Sequence, residues 1–247
     1  MAEALEIGGA VIRGPLVVRT DQPIVVTIDG PAGTGKSSVA RALAERLGLD
    51  FLDTGAMYRA AAFVAIERKI DFKADPQALV REVIAADIKF DWKQRPPRIL
   101  AWGRAVDERI RDEDVEDIVS PVASIATLRA HMVEKQKEIG RQHKRLVTEG
   151  RDQGSVVFPN AAVKFYLDAR PEVRATRRAA QLQAEGQHVS VAEVLADIIA
   201  RDKSDSSRVA GPLKRPDGSE LIDTSDLNFK GVVDLLEQRV RALVAAL

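Results

Sequence analysis

Gly30, Gly33, Gly35, Lys36 and Ser37 stand in the order G-x-x-x-x-G-K-[ST], a pattern of residue types suited to holding phosphate. Glycines let consecutive backbone N–H groups turn inward around phosphate oxygens with no Cβ in the way. Lys36 adds a cation, the helix expected to begin near it aims its positive end at the same anion, and the Ser37 hydroxyl is placed to ligate a Mg²⁺ shared with a nucleotide. The run Gly30, Pro31, Ala32, Gly33, Thr34, Gly35, Lys36, Ser37 and Ser38 is therefore a candidate ATP cradle. Its context agrees: Ile24 to Ile28 read as a buried strand before it, and Val39, Leu43 and Leu47 recur at helical spacing after it.

A second set of groups is cationic and scattered: Arg59, Arg151, Arg177, Arg178, Arg201 and Arg208 fall on separate segments. Two phosphorylated ligands held end to end would give them a purpose, because two phosphates brought together concentrate negative charge that fixed cations must offset. Surface salt bridges are the plainer expectation for Arg174, Arg177 and Arg178. His131, His143 and His188 lie on polar stretches without partners at ligand spacing and read as surface residues. A phosphate acceptor needs no catalytic histidine, since its second pKa of about 6 leaves it anionic near neutral pH.

These groups must be positioned by strands and helices in alternation. Lys36 to Leu47 read as a helix closed by Gly48, Phe51 to Asp53 as a short strand, and Ala56 to Arg68 as a helix carrying Tyr58 and Arg59 at its start. Asp75-Pro76 starts a helix through Ala85, and Ile88 to Trp92, Arg98 to Trp102 and Ala105 to Asp107 have strand character, so residues about 72–119 form a small antiparallel insertion. The acidic run Arg111 to Asp117 reads as its solvated exit. Ser120-Pro121 starts a long helix to about Gly140, with Arg129 off its apolar stripe. Strands follow at Arg145 to Glu149, Val163 to Leu167 and Glu220 to Asp223, with helices from Pro171, over Val191 to Ala200, and from Lys230 onward. The segment Arg201 to Arg208 reads as too polar for a core. The whole is an α/β chain with a parallel sheet and helices on both faces.

The 247 residues are 45% hydrophobic, enough for one large domain or a core with an insertion. Lys plus Arg and Asp plus Glu number 37 each, so no global field recruits nucleic acid or an anionic membrane surface. There is no cysteine, no apolar run of membrane-spanning length and no signal-peptide order at the start, so a cytoplasmic protein is expected. Residues 1–20 read as a loose extension, with an edge strand at Pro15 to Arg19 as the alternative. No D-x-x-G switch or N-K-x-D base reader follows the strands, which argues against a GTPase.

TIDGPAGTGKSS, LDTGAMYR, EGRDQGSVVFP, VKFYLDA and RDKSDSSR, in this order and nearly over the full length, resemble the cytidylate kinases of the bacterial type. The resemblance implies a P-loop core at 21–71 and 120–247, a nucleoside-monophosphate-binding insertion at 72–119 and a short lid at 201–215. It implies phosphoryl transfer from ATP to CMP, and to dCMP, with Mg²⁺ and as a monomer. By the same resemblance Arg59, Arg151 and Arg201 grip the acceptor phosphate, and Asp205 and Arg208 meet its ribose end. Ser120, Arg129 and Asp152 read cytosine, Thr54, Tyr58 and Gly150 line the same pocket, and Arg177 lies on the ATP side. Lys36, Arg151 and Arg201 would carry the catalysis. A kinase of another small phosphorylated acceptor and a nucleotide sensor without turnover are the alternatives.

Overall fold

A computed structural model describes the backbone of residues 5–7, 10–12, 22–184 and 186–245. Two short strands, β1 (Leu5–Ile7) and β2 (Ala10–Ile12), pair antiparallel within the N-terminal extension; the alternative strand at Pro15 to Arg19 lies outside the described residues. The apolar run IVVTID forms β3 (Ile24–Asp29), followed by α1 (Lys36–Leu47), β4 (Asp50–Asp53) and α2 (Thr54–Glu67). α2 starts at Thr54, ahead of the expected Ala56, because the Asp53 carboxylate accepts the Ala56 N–H at 2.9 Å and caps the first turn.

The insertion begins with α3 (Pro76–Ala85), capped by Asp75 with Pro76 in its first turn, and continues through β5 (Lys89–Asp91), β6 (Arg98–Ala101) and β7 (Arg104–Ala105). These three strands form an antiparallel sheet, as expected. The acidic run is exposed except at Val115 and Glu116, and it opens a helix instead of a loop. Glu113, Asp114 and Glu116 stand in the first turn of α4 (Glu113–Ala123), where negative charge complements the helix dipole. Pro121 consequently lies inside α4 rather than opening a helix, and the expected single helix is two, because the chain breaks at Ser124 and Ile125 before α5 (Ala126–Gln142). Residue 119 falls within α4.

The core resumes with β8 (Arg145–Gly150), β9 (Val163–Asp168), α6 (Pro171–Ala184), α7 (Val191–Ser207), β10 (Glu220–Asp223) and α8 (Phe229–Ala245). α7 opens with a capping box between Ser190 and Glu193 and continues through the polar segment to Ser207. The central sheet has the order β10-β9-β3-β8-β4, with every neighbouring pair parallel. Val39, Leu43 and Leu47 of α1 and Val233, Leu236 and Val240 of α8 cover one face with Val26, Ile28, Phe165 and Leu167. Each such side chain contributes about 1.5–3 kcal/mol when fully buried. Leu52 and Leu146 of the sheet join the other cluster, with α2, the insertion and α5. α6 and α7 share a separate small cluster of Ala175, Ala179, Val194 and Ile198. Among the described residues no helix is long and apolar enough to cross a membrane.

Candidate active site

The loop after β3 leaves the sheet at Gly30, where φ is 149° and a Cβ would collide with the Leu167 carbonyl of β9, so the residue must be glycine. The loop returns into α1 at Lys36, which is buried, and its Nζ donates to the Pro31 carbonyl at 2.6 Å and toward Thr34 Oγ1 at 3.4 Å. Burial and the nearby Arg151 cation lower the Lys36 pKa, opposed by Glu149, Asp205 and Asp29. An anion in the loop would favour the charged amine. Pro31, Ala32 and Thr34 are buried, and Ser37 and Ser38 are exposed at the start of α1.

Ser37 Oγ donates to Glu149 Oε1 at 2.8 Å. Glu149 is the penultimate residue of β8, and burial together with the Asp53 carboxylate raises its pKa against the pull of Lys36 and Arg151. A hydroxyl beside carboxylate oxygens whose charge is incompletely offset is a donor set that suits a hard divalent cation. Among the described residues no three His, Cys, Asp or Glu side chains group as a metal site of their own.

Four of the expected arginines, Arg59, Arg151, Arg201 and Arg208, meet in pairs on two carboxylates. Arg59 of α2 and Arg201 of α7 both bind Glu116, Arg201 through Nη1 at 2.5 Å. Arg151 Nε donates to Asp205 Oδ2 at 2.8 Å, and Arg208 Nη2 binds Asp205 Oδ1 at 2.5 Å. Asp205, expected in a solvated polar segment at the ribose end, is buried, and the two guanidiniums outweigh burial and hold its pKa below the usual carboxylate range. Arg201 Nε and Arg208 Nε are buried and have no hydrogen-bond partner among the described residues. Unpaired buried donors on Arg201, expected at the acceptor phosphate, and on Arg208, expected at the ribose end, suit an anionic ligand. Glu116 was not among the expected site residues, and nothing local in its acidic run distinguishes it from Glu113 or Asp117.

At the expected base end Arg129, off the apolar stripe of α5 yet buried, binds the Asp152 carboxylate, donates to the Ala123 carbonyl at 3.2 Å and lies over the Tyr58 ring at 5.1 Å. Ser120 Oγ accepts from Arg208 at 3.4 Å, and Thr54 Oγ1 donates to the Glu149 carbonyl at 2.7 Å, tying the start of α2 to the end of β8. Gly150 ends β8, and the turn after it is fixed from beneath. Asp29 accepts the Gln153 N–H at 2.8 Å and the Gly154 N–H at 2.7 Å, and Gln153 joins Thr148 and Gln136. A charged residue closing an otherwise apolar strand was the signal for Asp29.

Arg174 is not a surface salt bridge. It is buried, Nε donates to the Ala169 carbonyl at 3.0 Å, Nη1 to the Ala32 carbonyl of the cradle at 2.8 Å, and Nη2 binds Asp202 of α7 at 2.7 Å. Arg177 donates to the Thr224 carbonyl at 2.7 Å and the Leu227 carbonyl at 3.1 Å, bracing the loop after β10 at the sheet edge beyond β9. The histidines are corrected in part: His143 is half-buried, stacked on Trp92 and bonded to Asp50 at 2.8 Å, and His131 is half-buried with its pKa lowered by burial and Lys135; His188 is exposed. His143 meets β4 at its first residue, the sheet end opposite the cradle.

The profile of the cytidylate kinase family matches residues 26–242. The cytidylate kinase of Rhodococcus opacus is 43% identical over 213 residues, covering 86% of this chain and 93% of that protein. Those of Actinobacillus succinogenes and Caldanaerobacter subterraneus are 39% and 40% identical over 215 and 218 residues, covering 85% and 88% of this chain and 95% of each relative. With a five-stranded parallel sheet, relatives about 40% identical over most of the chain and a family match that spans residues 26–242, the chain belongs to the cytidylate kinase family.

Proposed function

We propose that this enzyme transfers the γ-phosphoryl group of ATP to CMP, giving CDP and ADP, and accepts dCMP as well. The observation that carries the reading is the gathering of Arg59 and Arg201 on Glu116 and of Arg151 and Arg208 on Asp205, with Arg151 near enough to Lys36 to lower its pKa and buried N–H groups on Arg201 and Arg208 still unpaired. The acceptor phosphate is its own nucleophile, with a second pKa of about 6, so no side chain has to remove a proton. Arg59 and Arg201 would hold it, while Arg151 reaches between the acceptor and the transferring group. Lys36 and the cradle N–H groups orient the donor phosphates and stabilise charge on their oxygens. Ser37, Glu149 and Asp53 would hold a Mg²⁺ brought by ATP, which supplies further charge neutralisation. α6 and α7 form the cover: Arg174 and Ile198 pack against Gly33, so that closing over ATP excludes water from the transfer. The sugar end offers Asp205 already held by Arg151 and Arg208, which is why loss of the 2′-hydroxyl should be tolerated. All these groups come from one chain, so the site can be complete in a monomer, the state proposed for this enzyme.

The test is ADP formation by purified protein with Mg²⁺, ATP and each common nucleoside monophosphate in turn. CMP and dCMP should give fast turnover and UMP slower turnover. Equal or faster turnover with AMP or GMP would overturn the assignment.

A further inference from the structure

Glu116 differs from the acids around it. Glu113, Asp114 and Asp117 are exposed, whereas Glu116 turns inward from α4 and is only 29% exposed at its side chain. One carboxylate oxygen binds Arg59 Nη1 of α2 and the other binds Arg201 Nη1 of α7, so a single anion from the insertion joins three elements. Burial works against its charge, yet the two guanidiniums prevail and hold its pKa down to about 2, so it is ionised throughout the working range.

A carboxylate and a phosphate present guanidinium groups with the same kind of paired oxygens. Arg59 and Arg201 cannot give the same Nη1 hydrogens to both, and a dianion placed beside an ionised carboxylate is repelled by it. Arg201 keeps one buried donor, Nε, in reserve, so the arriving phosphate finds an attachment point before the carboxylate has left.

We propose that Glu116 is an internal stand-in for the acceptor phosphate and sets the affinity for it: the acceptor must displace Glu116 from Arg59 and Arg201. The proposal rests on the reading that these two arginines receive the acceptor phosphate. It makes the unliganded site a closed ionic unit in which the insertion, through α4, is tied to the cover, through α7. Displacing Glu116 unties them, so acceptor binding and movement of α7 are linked through one side chain. A free small anion gains only the arginine contacts and has to break the same tie, whereas CMP adds contacts from its sugar and base. The stand-in therefore keeps the arginines from filling with anions that cannot react.

The experiment compares CMP and cytidine binding by calorimetry for wild type, Glu116→Gln, Glu116→Ala and Arg201→Ala, with inorganic phosphate as competitor against CMP. Glu116 lies partly exposed on a helix, so neither substitution removes core packing. Both Glu116 variants should bind CMP and inorganic phosphate at least tenfold more tightly, while cytidine affinity stays within twofold. Arg201→Ala should weaken CMP and leave cytidine unchanged. Unchanged or weaker CMP binding in both Glu116 variants, with Arg201→Ala behaving as expected, overturns the stand-in role and leaves the acceptor reading intact. If Arg201→Ala affects CMP and cytidine alike, the acceptor reading fails and the stand-in role falls with it.

Discussion

Arg129 and Asp152 form a buried ion pair, Nη2 against Oδ2, over which Gly211 is laid so closely that a Cβ there would collide with both partners. The two groups expected to read cytosine are thus one unit: burial opposes the Arg129 cation, but Tyr58 and Asp152 favour it and raise its pKa. Arg129 can only donate and ionised Asp152 can only accept. Cytosine offers acceptors at O2 and N3 and a donor at N4, whereas uracil has a donor at N3 and an acceptor at O4, so the pair matches the first and opposes the second. Asp152→Asn can turn its amide NH₂ toward O4, and the CMP to UMP ratio of kcat/KM should fall about tenfold, the effect of one mismatch of about 1–3 kcal/mol. Equal losses on both nucleotides would show that Asp152 only holds Arg129 in place.

Lys36→Met should abolish turnover while CMP binding remains, because the cradle serves the donor and the arginines serve the acceptor. The comparison is kcat by coupled assay against the CMP Kd by calorimetry. Activity retained within tenfold of wild type would contradict the role given to Lys36.

What could be read from the chain was what the chain expresses locally. The cradle, α1 ending before Gly48, the first two insertion strands and β10 all rest on neighbours within a few residues and stand where the sequence puts them, while β7 lies at Arg104–Ala105 and not at the expected Ala105 to Asp107. Arg174 does not: its partner Ala32 is 142 residues away, and on α6 it shows only as one more arginine among Arg177 and Arg178. Asp205 misled for a related reason. Polar residues that pair with one another across elements can be buried, and only the fold reveals that Arg151 and Arg208 meet on it. The break at Ser124 was hidden because Pro121 is a common helix opener, while the acidic turn that starts α4 precedes it.

Arg174 joins the cradle carbonyl of Ala32, the end of β9 and Asp202 of α7, three bonds that its planar fork can make together. Lysine has one nitrogen and cannot replace them. Arg174→Lys should lose roughly 3 kcal/mol of stability, the order seen when a buried pair is broken, and weaken ATP at least tenfold with CMP affinity little changed. Thermal melts and separate titrations with ATP and CMP check this. Equal weakening of both ligands would point to general loosening instead of a role at the cradle.

Asp29 supports the turn that carries Arg151 and Asp152, and it does so as a carboxylate with no exposed surface. Burial raises its pKa from 3.8 to about 6, even though the Gly154 and Gln153 N–H groups act to lower it. The folded chain therefore holds this proton more tightly than the unfolded chain does, and stability contributed by protonated Asp29 is full below pH 3.8 and lost as pH rises through about 6. A shift of this size corresponds to about 3 kcal/mol. Asp29→Asn cannot titrate, so subtracting its unfolding free energy from that of wild type isolates the group from every other carboxylate. The difference should fall by about 3 kcal/mol between roughly pH 4 and 7, then level off. Denaturant unfolding at half-unit intervals measures it. A difference that stays flat across that range would mean that the two backbone N–H groups keep Asp29 ionised throughout and that burial does not govern its charge.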